Sequence, residues 1–405
     1  MNQTIGPFAT FGGLVRVAEF RAVFLAHLFS ILGDAVGSVA LAVLVYKRTG
    51  SAALSAIVFS SAFLPHLFGG VLASVLAYRI GPRRLLVVCN LLSAVLLVLM
   101  VSPAAPVPLL LLLIFVVNLL GSIFLAVRAS MLPNILHEQS LHILGRSVMR
   151  AAAQSGQVVG FALGSVLLTL MTPQTALLAD AASFGISAVL VRFGTVDRQP
   201  LDGAADELGS PLPRRLFANL RRVLGVPELR RLLLFSWLVS ACVIAPEALA
   251  VPYLREIGEP ETQAGYLLTA IAAGAFSGDL IAARLLNAAG RKRIVRSSAL
   301  LACLSLLVFA HTQALYAAVP VLFISGFGFA YIPGWDQYLT ELAATRDLSI
   351  ALAVAASGVM ATQGFGFVMW GVIAEFTSVG TVVSLGAVGG IAAVLAFAPR
   401  NRAAS

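Results

Sequence analysis

The sequence predicts an all-α integral membrane protein: twelve transmembrane helices in two pseudo-symmetric six-helix bundles. Three observations predict it. Of 405 residues, 59% are hydrophobic and only 11% are charged, against about 25% charged in an ordinary soluble domain. Mean hydropathy is +0.95. The apolar residues also come in blocks of about twenty, the length that crosses the hydrocarbon of a bilayer as a helix. They do not form the short runs of buried strands or the alternating segments of a β-barrel.

The first set of blocks spans about 22–46, 52–77, 84–103, 107–131, 146–171 and 174–193. A polar stretch follows, and a second set spans about 231–253, 263–284, 294–312, 314–339, 349–374 and 379–398. This gives an N-terminal bundle over 1–193, a linker over 194–230 and a C-terminal bundle over 231–405. Lys and Arg accumulate on the cytoplasmic side of a membrane. With both termini inside, only Lys47, Arg48 and Arg255 of the 27 basic residues fall outside, and Arg128 and Arg150 lie within helices. The net charge of +9 is thereby a consequence of topology, and no nucleic-acid partner is needed to explain it. In the linker, Leu216, Phe217, Leu220, Val223 and Leu224 share a helical face flanked by Arg214, Arg215, Arg221 and Arg222. That is the pattern of an amphipathic helix lying on the anionic inner leaflet; a solvated charged linker is the alternative. The first 21 residues show no cleavable signal, so the first membrane helix is expected to act as its own uncleaved signal.

A carboxylate at the centre of a membrane helix costs about 2.5–3.5 kcal/mol on insertion scales. Asp34 sits there, in "LFSILGDAVGSVALAVLVY". Ser30, Asp34 and Ser38 share one face, with His27 two turns below. A polar stripe in lipid has to face the protein interior or a wet cavity. Glu247 repeats the design in the seventh helix, with Ser236 and Ser240. Burial disfavours a charged carboxyl, as a reversible proton carrier requires. Either acid is then a carrier or a neutral lock between two helices. Asp180, near the outer end of the sixth helix, reads as structural. Asp279 and Asp336 lie near inner ends, where Arg128, Arg150 and Arg284 are available as ion-pair partners, static or gating. His66, Asn118, Gln154, Gln157, Trp237, Tyr331 and Gln363 join His27, Ser30 and Ser38 as cavity-lining candidates; each alone is as well explained by a bond between helices. Gly156, Gly160 and Gly164 recur every fourth residue and allow close helix approach. The same stripe would let a seam slide.

The two halves echo one another at an offset of about 206–213 residues. Asp34 answers Glu247, "RIGPRR" (79–84) answers "NAAGRKR" (287–293), and "QVVGF" (157–161) answers "QGFGF" (363–367). With "FLAHLFSILGDAVGSVALAVLVYKRTGS", "LLADAASFGISAVLV" and "APEALAVPYLREIG" in this order, the chain resembles the major facilitator superfamily, specifically its bacterial twelve-helix drug and siderophore exporters. The likeness runs from about residue 20 to 398. It implies that helices one, four, seven and ten line a central cavity into which Asp34 and Glu247 look. Two signatures depart from the family pattern. In the loop between helices two and three, Arg79, Gly81, Arg83 and Arg84 match, but Tyr78 stands where an aspartate is usual, so the family's charge latch cannot form in its usual way. In "GQVVGFALGS" (156–165), Phe161 replaces a proline and Ser165 a glycine.

No P-loop lysine or Gly-x-Ser-x-Gly nucleophile is present. The histidines of "HEQSLH" (137–142) are five apart, about 140° round a helix, and would not share a zinc ion. Cys89, Cys242 and Cys303 show no paired spacing. The expectation is a non-enzymatic, monomeric plasma-membrane transporter without cofactor. The resemblance implies export of hydrophobic or amphiphilic small molecules such as a drug, antibiotic or siderophore, in exchange for protons, by alternating access. Rival readings are a gradient-independent facilitator or lipid flippase, and a non-transporting sensor or scaffold.

Overall fold

A computed structural model describes residues 11–198, 220–343 and 348–399. Every predicted span is largely helical, with interruptions in the second, seventh and tenth. Helix α1 (Phe11–Arg16) leads into α2 (Ala18–Thr49), followed by α3 (Ala52–Ser60) and α4 (His66–Arg79). Helices α5 (Pro82–Met100), α6 (Val107–Ile135), α7 (Gln139–Leu170) and α8 (Pro173–Gly194) complete the first set. The second set opens with α9 (Pro227–Val243), α10 (Ala245–Ala248) and α11 (Ala250–Glu256). It continues with α12 (Ala264–Leu285), α13 (Ala288–Phe309), α14 (Leu315–Phe327), α15 (Ile332–Leu342), α16 (Leu348–Ile373) and α17 (Val379–Phe397).

Among the described residues, ten helical spans are long and apolar enough to cross a membrane. The other two expected crossings are the second, which is broken, and α13, whose first turns carry Arg291, Lys292, Arg293 and Arg296. Breaks follow proline, which lacks an N–H and disfavours helix at the residue before it. Pro65 lies in the 61–65 turn between α3 and α4, where the bonds tighten to Phe63 N–H with Ser60 O and His66 N–H with Phe63 O. Pro246 and Pro252 accompany the interruptions of the seventh crossing, and Pro333 starts α15. Gly50, at φ 67°, turns the chain between α2 and α3 in a conformation that side chains rarely adopt. Ser51, Asn287 and Ser378 cap α3, α13 and α17 with their side-chain oxygens.

The surface is that of a lipid-solvated bundle. Along α5, Val88, Leu91, Leu92, Val95, Val98 and Leu99 are exposed on one stripe, while Asn90 and Ser93 are buried on the other side. Asn90 donates to Ser187 Oγ of α8 at 2.8 Å. Apolar outside and hydrogen-bonded polar inside is the arrangement that lipid favours and water does not.

Contacts divide the chain into two compact units. One gathers the chain up to Gly37, Phe68–Gly160 and the segment beginning at Gln174; the other gathers Ser38–Leu67, Phe161–Pro173 and the C-terminal helices. The first unit is built on a core containing Phe20, Val23 and Ala26 of α2, Leu85, Leu86 and Cys89 of α5, and Val127 and Met131 of α6. Its charged end ties three segments together. Arg83 pairs with Asp197 at 2.8 Å and donates to Thr195 O at 3.3 Å, and Arg84 lies 3.8 Å from Asp197. Arg198 forms a two-pronged pair with Glu19 and also reaches Asn134 O. Gly81 is required here by proximity and not by turn geometry: its φ is −51°, but a Cβ would lie 2.9 Å from the Arg198 carbonyl.

In the second unit, Gly274 and Gly278 of α12 and Gly326 of α14 allow backbone-to-backbone approach between those helices. Three indoles are pinned to carbonyls: Trp335 to Leu232 at 3.0 Å, Trp370 to Ala241 at 2.7 Å and Trp237 to Ala355 at 3.2 Å. Arg291 closes the end of α12 by donating to the carbonyls of Ala282, Ala283 and Leu286. Helix α3 packs on α16, where Phe59 and Phe63 meet Phe367 and Ser60 Oγ donates to Gly364 O. Of the expected amphipathic linker helix, Arg214, Arg215, Leu216 and Phe217 lie outside the described residues. Residues 220–224 are helical, with Val223 buried and Arg221 and Arg222 exposed.

Candidate functional site

Helix α2 carries Asp34 between two glycines, and the three residues have different jobs. A Cβ on Gly33 would overlap Ser183 and Asp180, and one on Gly37 would overlap the Asp180 carboxyl. Asp180 of α8 therefore lies directly against the Gly33–Gly37 face. It is only 3% exposed, and its hydrogen-bond partner among the described residues is Ser183, 3.4 Å from Oδ1. The structural reading of Asp180 matches this geometry, with a detail the sequence did not supply: its seat is the glycine pair that brackets Asp34, and the two carboxyls are electrostatic neighbours. Gly37→Ala is expected to destabilise the protein by about 1–3 kcal/mol through overpacking, read as a lower unfolding temperature in detergent.

Asp34 itself stands beside that seat. It is exposed while Gly33, Ala35, Val36 and Gly37 around it are buried. Buried Ser30, on the same helix, donates to Asp34 Oδ2 at 3.3 Å and is its hydrogen-bond partner among the described residues. Among the described residues no hydrogen bond runs from Asp34 to another helix.

Glu247 sits in α10, the four-residue helix isolated by the flanking breaks at Ile244 and Leu249. Pro246 leaves the Cys242 carbonyl without its usual helical donor. The Glu247 side chain is half-buried and makes no hydrogen bond or ion pair among the described residues.

The remaining candidates scatter. His27 is buried; Ser38, Gln154, Trp237 and Gln363 are half-buried; Gln157 and His66 are exposed. Asn118 is half-buried and donates to Ile114 O of its own helix at 3.1 Å. Tyr331 does not line an opening. It is 2% exposed, stands edge-on to Phe235 and bonds Ser240, so it belongs to the core of the second unit. Gly156 and Gly160 of α7 pack against α2: a Cβ on Gly160 would come within 2.6 Å of Ala35 Cβ, and one on Gly156 within 3.1 Å of Ile31. Gly164 is buried. Arg150 and Arg284 are exposed, and Arg128 is enclosed without any ion pair among the described residues. Arg83 finds its acid in Asp197 after α8. Arg84 and Arg79 are exposed.

Ten described helical spans long and apolar enough to cross a membrane, with a family match over nearly the whole chain, make this a multi-pass membrane transporter of the major facilitator type. The chain belongs to the transmembrane secretion effector family of that superfamily, which matches it over residues 6–402. It is 26% identical over 351 residues to the multidrug efflux pump Tap of Mycobacterium tuberculosis, covering 80% of each chain. To the Tap pump of Mycolicibacterium fortuitum it is 25% identical over 378 residues, covering 88% of this chain and 90% of that one. Its fold is similar to that of the nucleoside transporter NupG, at 16% identity and a TM-score of 0.70, over 93% of this chain and 98% of that one. The xylose transporter XylE from E. coli in its inward-open conformation matches with a TM-score of 0.69 at 14% identity, over 97% and 98% of the two chains. Members of this family are transporters and not enzymes.

Proposed function

We propose that the protein is a proton-coupled exporter of hydrophobic or amphiphilic small molecules, working by alternating access in the bacterial plasma membrane with both termini cytoplasmic. One observation carries the reading. Among the described residues the acids of the first and seventh crossings make no hydrogen bond or ion pair to another helix, although an intramembrane carboxylate is costly to retain. With nothing to lock, the use left for them is to take up and release a proton. The efflux pumps among the relatives support a drug-like substrate. In the proposed cycle the two six-helix halves, related by an axis along the membrane normal, rock against one another. A proton enters Asp34 or Glu247 from outside and leaves inside, and substrate is carried when the acid is ionised. The proton and the substrate need only differ in their preference for the two states.

Under this topology the contacts around Lys47–Ser51 lie outside. There, Ser51 Oγ and the Ala53 N–H both donate to Glu375, at 2.6 and 2.9 Å, and Arg255 stacks over Tyr46. These contacts would form the outer latch that opening has to release. In inverted vesicles, drug accumulation driven by an imposed pH gradient is expected to collapse on addition of an uncoupler. Accumulation that survives the uncoupler would favour the facilitator reading instead.

A further inference from the structure

Charge without a partner occurs at a second place in the first unit, and there the sign is positive. Arg128 of α6 is 9% exposed and His27 of α2 is 7% exposed. The two are electrostatic neighbours. Arg128 Nη1 and His27 Nε2 are enclosed with no hydrogen-bond partner. Among the described residues neither side chain makes an ion pair. The surroundings are hydrocarbon: Val23 and Ala26 flank His27 on α2, Val127 and Met131 flank Arg128 on α6, and all four belong to the core of this unit. The nearest acids along α2 are taken or distant. Glu19 is engaged by Arg198, and Asp34 lies seven residues on, about 10 Å along the axis.

A guanidinium stripped of water without an anion is among the most costly things that a protein interior can contain. Arginine cannot relieve that cost by giving up its proton. Its planar fork matches a carboxylate or phosphate with two parallel hydrogen bonds, and a neutral imidazole can offer one ring N–H beside it. We propose that Arg128 and His27 form a binding site for a single compact anionic group, either the carboxylate of a small amphiphile or the phosphate of a lipid headgroup. Its consequence for transport, export of acidic amphiphiles, rests on the exporter reading above; the site itself does not, because binding is measured without any gradient.

The test is thermal unfolding of the purified full chain in detergent, at constant ionic strength, with benzoate and with its neutral analogue benzamide. Phosphatidylglycerol and phosphatidylcholine are compared in parallel. Benzoate is expected to raise the unfolding temperature saturably and benzamide to leave it unchanged. Arg128→Met is expected to weaken benzoate binding about ten- to a hundredfold. It should also raise the unfolding temperature of the ligand-free protein, because an unpaired buried charge has gone. His27→Gln, which keeps a donor, should bind benzoate with a smaller loss. Stabilisation by phosphatidylglycerol that needs Arg128, with no response to benzoate, would uphold the site and assign its occupant to lipid. No response to either anion would overturn the proposal. So would benzoate binding unchanged in Arg128→Met, or a lower unfolding temperature in that variant with anion binding intact.

Discussion

Asp34→Asn is expected to abolish uphill export while leaving downhill exchange of labelled substrate in place. Asparagine has nearly the same shape, and its amide oxygen can still accept the Ser30 hydroxyl that now bonds Oδ2 at 3.3 Å. The Gly33 and Gly37 seats for Asp180 stay open, so the helix contact survives and the unfolding temperature should barely move. What is lost is the proton. Coupling between two ligands is typically a factor of about 5–150, and gradient-driven accumulation in proteoliposomes should fall by that order. An accumulation ratio equal to that of the native chain would remove Asp34 from the coupling pathway.

Glu247→Gln should have an effect of similar size, for a related reason. The carboxyl has no hydrogen bond or ion pair among the described residues to lose, so replacing it with an isosteric amide removes an unpaired charge and no contact. Stability should hold or rise slightly, while gradient-driven accumulation again falls about 5–150-fold. The helix interruption around it comes from Pro246 and Pro252, which the substitution leaves untouched. A variant with lower stability and intact coupling would mark Glu247 as structural.

Much of the architecture was legible because lipid imposes it. Runs of about twenty apolar residues have few alternatives to spanning helices, and every expected span is largely helical. The breaks at Pro65, Pro246 and Pro333 were readable in principle, since proline removes a backbone donor wherever it falls. The site was only partly legible. Asp34 stood out through its cost in an apolar run, but whether it locks or carries depended on partners that a one-dimensional pattern does not contain. Asp180 and Gly37 are far apart in sequence, and nothing in "DAASF" says that its acid rests on a glycine of α2. Arg128 read as an available ion-pair partner, because an arginine near an acid-bearing helix end usually finds one; the fold makes it an electrostatic neighbour of His27. Tyr331 looked like a cavity residue because a phenol in an apolar run needs a partner, and Ser240 supplies that partner inside the core.

The exporter reading turns on water reaching position 34 and stopping short of position 180. Thiol labelling tests this most directly, in a Cys89→Ala, Cys242→Ala, Cys303→Ala background. Asp34→Cys and Asp180→Cys would be treated in native membranes with a charged, membrane-impermeant methanethiosulfonate. The account predicts rapid modification at 34, slowed by substrate, and none at 180. Inert thiols at 34 from both sides of the membrane, or labelling at 180 instead, would contradict it.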